Sequence, residues 1–435
     1  MNELLKTEFE NKTKTVAEAV RLINNGDIVY IGTCSSVAYD LLQALWERRE
    51  ELPAVVLVGG LLIDPADALC DGSFRLKTYF IGAAERKRMK AADIDFTSVH
   101  LSQTDLWCKE TVKPNAAFLE VSPPDADGYM SLSAGGVGVG AHVLETAGTF
   151  ILQINKRAPY VLGESSKIHI SRADAIVYAD HELPRAPESP HDEEIVKIAG
   201  FLLDRIPDGA CIQLGIGGIA NAVGFMLRDK NDLGAHTEII TDSIMELMKL
   251  GVLNNSRKTW LPGKTAAGVA FGSEKLYDFL DRNEDIYFMP FSVLNDPVVI
   301  SKNDDMISIN SAISIDLFGQ VSAETIAGRQ FSGTGGQLDY VKGAQMSKGG
   351  KSFIAIQSTA VDRDKKKVSR IVSAFQPGTV VTTPRSEVQY VVTEYGCVNL
   401  KPLCMRDRVR AMISLAHPDY RPQLIEEAKF SGIQL

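Results

Sequence analysis

The chain has no uncharged apolar run approaching membrane-spanning length, and no apolar leader precedes its polar start, Met1 to Lys14. Its six cysteines (34, 70, 108, 211, 397 and 404) are scattered and form no CxxC pair. Those absences argue for a reduced, cytoplasmic protein. A basic surplus is missing too: the net charge is −9, which excludes a general nucleic-acid or membrane-surface binder. An anionic ligand stays open, since it needs only a local positive site. There is no low-complexity tract.

What is present is ordinary globular composition, 45% hydrophobic and 23% charged, over 435 residues, more than one core usually spans. Two or three domains are expected. Thr15 and Glu18 read as a capping box opening the first helix, with Val16, Ala19, Val20 and Ile23 at helical spacing and Gly26 as its end. A strand follows, Ile28 to Ile31, running into Gly32, Thr33 and Cys34, a binding-loop position at a strand's C-terminal end. Strands are expected at Val55 to Val58, Phe150 to Ile154 and Ala175 to Tyr178, alternating with helices in the α/β manner.

From Asp180 to Asp192 the composition turns to HELPRAPESPHD, with three prolines, and reads as an exposed linker. The expected domains are therefore 1–185 and 186–435. Beyond the linker Ile195, Ile198, Ala199, Leu202 and Ile206 form an amphipathic helix, and a strand leads to Gly215. GDIVYIG (26–32) and GACIQLG (209–215) thus hold equivalent places, which predicts two similar open α/β, Rossmann-like domains. Later strands are expected at 286–288, 306–310, 353–356 and 379–382, with helices at 244–250, 407–415 and 422–430.

The stretch from Gln213 to Ser243 organises the reading. A strand enters a helix through Gly215, Ile216, Gly217, Gly218 and Ile219, an arrangement that brings backbone N–H groups to an anionic ligand. The six-residue dinucleotide fingerprint is incomplete, because Ala220 occupies its last glycine position. Glu238 then sits at the edge of an apolar strand, before Ile239 and Ile240. Buried unpaired it would be costly, so it needs partners or a task; the plain alternative is a solvated strand-end glutamate. His236 shares its face, as an orienting neighbour or a structural residue. Ser332 to Gly336 is either a flexible turn or a place where glycine N–H groups meet an oxyanion.

QLGIGGIANAV (213–223), HTEIITD (236–242), FSGTGGQLDY (331–340) and VVTEYG (391–396) resemble, in that order, the acetyl-CoA hydrolase/transferase branch of the family I coenzyme A transferases. The resemblance implies that Glu238 is a nucleophile carrying coenzyme A as a thioester. It implies oxyanion donors at Gly336, with Gly335 next, and at Asn295, which is otherwise a turn cap before Asp296 and Pro297. Coenzyme A contacts are implied at Gly215, Ile216, Gly217, Gly218, Ile219, Ser332, Gly335 and Gly336, and more weakly at Asn310. The family's lysine after a serine-valine-alanine run has no clear match: Lys365, Lys366 and Lys367 follow Ser358 to Val361, and the alternative for that run is a solvated hairpin tip. Glu394 matches a pocket-organising carboxylate, and Thr33 and Cys34 are expected to face the acyl group.

The expected activity is transfer of coenzyme A from a short-chain acyl-CoA to a carboxylate, with the active site between the domains, no cofactor beyond the coenzyme A thioester as substrate, and no metal. A homo-oligomer is expected. An acetyl-CoA hydrolase using the same glutamate and a non-catalytic nucleotide- or sugar-sensing module are the alternatives.

Overall fold

The structure, a computed structural model, describes residues 2–64, 66–90, 92, 94–187, 192–430 and 432. Contacts divide the chain into two compact units. Met1–Pro187, Glu238–Asp242 and Thr265–Leu294 form the first; Glu188–Thr237, Ser243–Lys264 and Asn295–Leu435 form the second. Both are α/β.

The first unit opens with α1 (Glu3–Lys12), whose N-cap Asn2 accepts from Leu5 N at 2.9 Å. That helix was not expected from the sequence, because Phe9 is its sole buried residue and leaves no apolar stripe to read. α2 (Val16–Ala19) follows with the anticipated Thr15/Glu18 capping box, tightening into a short 3₁₀ turn at Val20–Leu22. Seven strands come next: β1 (Ile28–Cys34), β2 (Val56–Leu62), β3 (Arg75–Thr78), β4 (Asp95–Phe96), β5 (Ala116–Val121), β6 (Thr149–Asn155) and β7 (Ala175–Ala179). They lie in the order β7–β6–β5–β1–β2–β3–β4, all parallel, with the short antiparallel strand Ser36–Val37 folded back on β1. Winding starts at β1 and goes both ways, so β1 and β5 flank the topological switch point. β1, β5 and β6 are almost wholly buried, as strands covered on both faces must be. Between β5 and β6 lies α3 (Ser133–Thr146).

The expected linker lies partly outside the described residues, at 188–191. Residues 181–187 form no helix or strand, yet they are not simply exposed: Leu183 is buried, and His181 donates to the buried Glu120 carboxylate at 2.9 Å.

In the second unit α4 (Glu193–Leu203) is capped by Asp192, which accepts from Ile195 N at 2.8 Å, and buries Ile195, Ile198, Ala199 and Leu202. Its strands are β8 (Cys211–Leu214), β9 (Gly234–Ile240, which passes into the first unit at Glu238), β10 (Met306–Ser311), β11 (Lys351–Ala355), β12 (Tyr390–Thr393) and β13 (Gly396–Asn399). They are six consecutive strands of an eight-stranded sheet, in the order β9–β8–β10–β11–β12–β13, parallel except for the last pair. Here the switch point falls between β8 and β10. The strand expected at 379–382 is not formed. Proline at 377 and 384 brackets that segment, and it bonds instead to two short strands, Val321–Ser322 and Thr325–Ile326, Thr382 N to Val321 O at 2.8 Å and Val380 N to Thr325 Oγ1 at 3.1 Å. α5 (Gly218–Met226), α6 (Asp242–Lys249), α7 (Pro297–Ile300), α8 (Gln337–Met346), α9 (Met405–Leu415) and α10 (Arg421–Phe430) complete the elements used below. Among the described residues no helix is long and apolar enough to cross a membrane.

Candidate functional site

The second unit gathers its glycine loops at the carboxyl ends of its central strands. β8 runs buried from Cys211 to Leu214, and the chain then turns through half-buried Gly215 and exposed Ile216 and Gly217 before α5 begins at Gly218. Gly217 has φ 113°, and a Cβ built on it would have no atom of the chain within 4 Å apart from its sequence neighbours. Glycine is needed there for its backbone angle, while the space above it is open. Ile219, by contrast, is buried in the first turn of the helix.

Asn310, near the end of β10, joins this loop through Gln213. The backbone N–H of Ile309 donates to Gln213 Oε1 at 3.2 Å, which fixes which end of that amide is oxygen; Asn310 Nδ2 donates to the same oxygen at 3.3 Å. The Asn310 carbonyl oxygen is therefore the end directed away from Gln213. One residue on, Ser311 O accepts from Gln337 Nε2 at 2.7 Å, and Thr383 Oγ1 donates to Gln337 Oε1 at 2.9 Å. Gln337 opens α8, so this amide ties the end of β10 to the glycine loop before that helix. In that loop Gly335 has φ 66° and Gly336 is the N-cap of α8 at φ −104°, an angle any residue adopts. Ser332 is half-buried, its N–H given to Glu324 O at 3.2 Å. Gly215 to Ile219, Asn310, and Ser332 to Gly336 are thus linked at one edge of one sheet, by amides that periodicity does not reveal.

β9 lies beside β8, Cys211 paired with Gly234 and Ile212 with Ala235, and Thr237 Oγ1 donates to Leu214 O at 3.0 Å. His236 is fully buried, bonded to Asn303 at 3.1 Å, with its ring against Trp260 and Tyr340. Its surroundings are those of a packing residue. Glu238 is half-buried between buried Thr237 and buried Ile239, and is the first residue of β9 that belongs to the first unit. A second anchor at this strand is Lys258, buried without a carboxylate and donating to Ala235 O at 2.9 Å and Lys264 O at 2.6 Å; burial holds its ammonium below the usual lysine range.

Asn295 is fully buried just before α7. The cap of that helix is Asp296, which accepts from Val298 N at 2.8 Å. Glu394, one residue past β12, accepts from Ser358 N at 2.9 Å and from Ser358 Oγ. Beside it Arg370 gives its guanidinium to the carbonyls of Ala312 and Ile313, and burial pushes it down to about 10 against the pull of Glu394. Glu394 therefore holds the serine that begins the 358–361 run. Lys365 and Lys366 fall at the turn between the antiparallel strands Thr359–Val361 and Lys367–Ser369, and Lys367 opens the second of them, paired with Val361.

In the first unit Thr33 and Cys34 end β1 at the switch point, but both side chains are buried. Thr33 Oγ1 donates to Gly60 O at 2.9 Å and lies 2.9 Å from Tyr79 OH. Cys34 takes φ 52°, and burial pushes its thiol up to about 12, so it is no nucleophile at neutral pH. Sequence reasoning missed Glu85, which lies at the ends of β2 and β3. It accepts from Gly82 N at 2.8 Å and Thr78 Oγ1 at 3.2 Å, and burial pushes its carboxyl up to about 7. A lone glutamate among basic residues (AERKR) gives no sequence signal of burial.

Residues 1–186 match the model of the acetyl-CoA hydrolase/transferase N-terminal domain, and residues 272–428 that of the C-terminal domain. The chain is 39% identical to the 4-hydroxybutyrate coenzyme A transferase of Clostridium kluyveri, over 97% of this chain and 98% of that protein. It is 36% identical to the butyryl-CoA:acetate CoA-transferase of Anaerostipes caccae, with 98% of each covered. Among solved structures, RipA from Yersinia pestis superposes with a TM-score of 0.92 at 33% identity, over the full length of both chains.

Proposed function

The chain belongs to the acetyl-CoA hydrolase/transferase family and is an enzyme of coenzyme A transfer; from that premise we propose a ping-pong route through Glu238. That membership leaves no place for the non-catalytic sensing module. The Glu238 carboxylate attacks the thioester carbonyl; the carbon–sulfur bond breaks, giving a mixed anhydride and coenzyme A thiolate. The thiolate then attacks the glutamyl carbonyl, releases the first acid as its carboxylate, and leaves coenzyme A on the enzyme. The acceptor acid runs both steps in reverse. Asn295 and Gly336, with Gly335, are the donors assigned to the oxyanion, and Gly215 to Ile219, Asn310 and Ser332 the contacts assigned to coenzyme A. Glu394 is assigned to the acyl end. The acids are short, with acetate, butyrate and 4-hydroxybutyrate the first to try.

The observation that carries the proposal is the open glycine loop at the β8/β10 switch point, with Glu238 on the strand beside β8. A groove of about 800 Å³ in the second unit, with Ile313, Phe331, Lys367 and Ile371 in its lining, suits the remote part of coenzyme A. Domains 1–185 and 186–435, a cytoplasmic location and a homodimer belong to the same reading.

Initial rates with acyl-CoA and acceptor varied together test it. Parallel double-reciprocal lines are expected; intersecting lines would reject the covalent route. Hydrolysis is the second reading, favoured by the half-exposed setting of Glu238. It predicts steady release of coenzyme A with no acceptor present.

A further inference from the structure

Glu324 was not marked by the sequence, and the reading above gives it no role. It lies between the short strands Val321–Ser322 and Thr325–Ile326, 2% exposed. A carboxylate taken out of water needs donors. Glu324 Oε1 accepts from Thr382 Oγ1 at 3.0 Å, and Oε2 accepts from Gln330 Nε2 at 3.0 Å and Thr334 Oγ1 at 3.4 Å. Its main-chain carbonyl accepts two more bonds, from Phe331 N at 2.8 Å and Ser332 N at 3.2 Å.

Two of these donors have their direction set independently. Thr382 Oγ1 accepts from Ala323 N at 3.0 Å, so its own proton is directed to Glu324. Gln330 Nε2 also donates to Ser332 O at 2.7 Å, so the amide cannot be reversed without setting oxygen against a carbonyl. All of these bonds lie within the second unit, and four of them end on residues 330, 331, 332 and 334. Glycines at 333, 335 and 336 give that loop no side chains with which to fix itself.

We propose that Glu324 is a positioning residue: from one buried side chain and its own carbonyl it sets the path of the loop Phe331–Gly336. This rests on the reading that Gly335 and Gly336 face the reacting carbonyl. An oxyanion donor acts through placement, and a displacement of about 1 Å can cost on the order of a hundredfold in rate. Replacing one Glu324 oxygen by an amide group sets that group against Thr382 on one side or Gln330 on the other. The loop must then shift.

The test compares Glu324→Gln with the unaltered enzyme in acyl-CoA:acetate exchange, with thermal midpoints measured alongside. The expected result is a fall of about 10- to 100-fold in kcat, KM for acyl-CoA within about threefold, and a folded protein. Gln330→Met, which removes the half-buried amide and leaves Glu324 in place, should lower kcat in the same way but less. Should Glu324→Gln fail to fold, Gln330→Met carries the test, and an unchanged kcat there overturns the proposal. An unchanged kcat in folded Glu324→Gln, or a loss confined to KM, also overturns it. The nucleophile reading is checked on a separate protein, Glu238→Ala, whose retained activity would remove that reading without altering what Glu324→Gln reports about the loop.

Discussion

GDIVYIG and GACIQLG open the two units in the same way, strand then glycine, and then part company. After Gly32, at φ 106°, the first chain doubles back at once: Thr33 pairs with Ser36, Cys34 takes a left-handed angle, and Gly135 of α3 donates to Ser36 Oγ at 2.8 Å. The end of β1 is filled by its own chain. After Gly215 the chain of the second unit goes into a helix, and apart from its sequence neighbours nothing comes within 4 Å of a Cβ on Gly217. One switch point is closed by protein and the other left open. Rossmann-like topology therefore offers two crevices, and the residues just past each glycine decide which remains accessible.

The largest effect that would sharpen this contrast is on stability. A Cβ on Gly32 would collide with the carbonyl of Ser36 and sit 2.9 Å from Val37 Cα, at a backbone angle L residues rarely adopt. Gly32→Ala should therefore cost about 2–5 kcal/mol in chemical denaturation, from strain and overpacking together. Gly217→Ala meets the angle penalty alone, about 1–3 kcal/mol for a backbone essentially only glycine adopts, in an exposed loop with room for the methyl group. It should weaken acyl-CoA binding by about tenfold and lower the midpoint by less than Gly32→Ala does. If Gly217→Ala unfolded the protein while Gly32→Ala spared it, the closed and open assignments would be reversed.

A smaller effect separates the units by pH. In the first unit Glu120 is buried and accepts from His181 and, at 3.1 Å, from Gln153; its bond lifts His181 from 6.5 to about 9. Asp40 adds to that lift, and the imidazole also bonds Glu182 O. A folded-state value above the ordinary one means stability fully present below about 6.5 and lost as pH rises through about 9. The thermal midpoint should fall across that window, and the double variant His181→Gln/Glu120→Gln should flatten it. A slope unchanged in the double variant would assign it elsewhere.

What was legible in the sequence lives in local chemistry. The glycine turn at 215–218, the strand carrying Glu238, the Thr15/Glu18 box and the alternation of strands and helices all depend on neighbours in the chain. What stayed hidden depends on distant ones. Glu324 meets Thr382 across 58 residues and Gln213 meets Asn310 across 97, and no period or spacing announces either bond. The segment 379–382 failed for the same reason. Its β-branched run suits a strand, but its polar partners at 321 and 325 hold it in a loop. The closed end of β1 was unreadable too, since Thr33 and Cys34 look like a binding loop until Gly135 arrives from α3.

The covalent role of Glu238 is tested most directly by mass. Incubated with acyl-CoA and no acceptor, the protein should gain the mass of coenzyme A on the peptide containing Glu238, borohydride should reduce that thioester and inactivate the enzyme, and Glu238→Ala should show neither change. Full transfer activity with no adduct at Glu238 would contradict the mechanism.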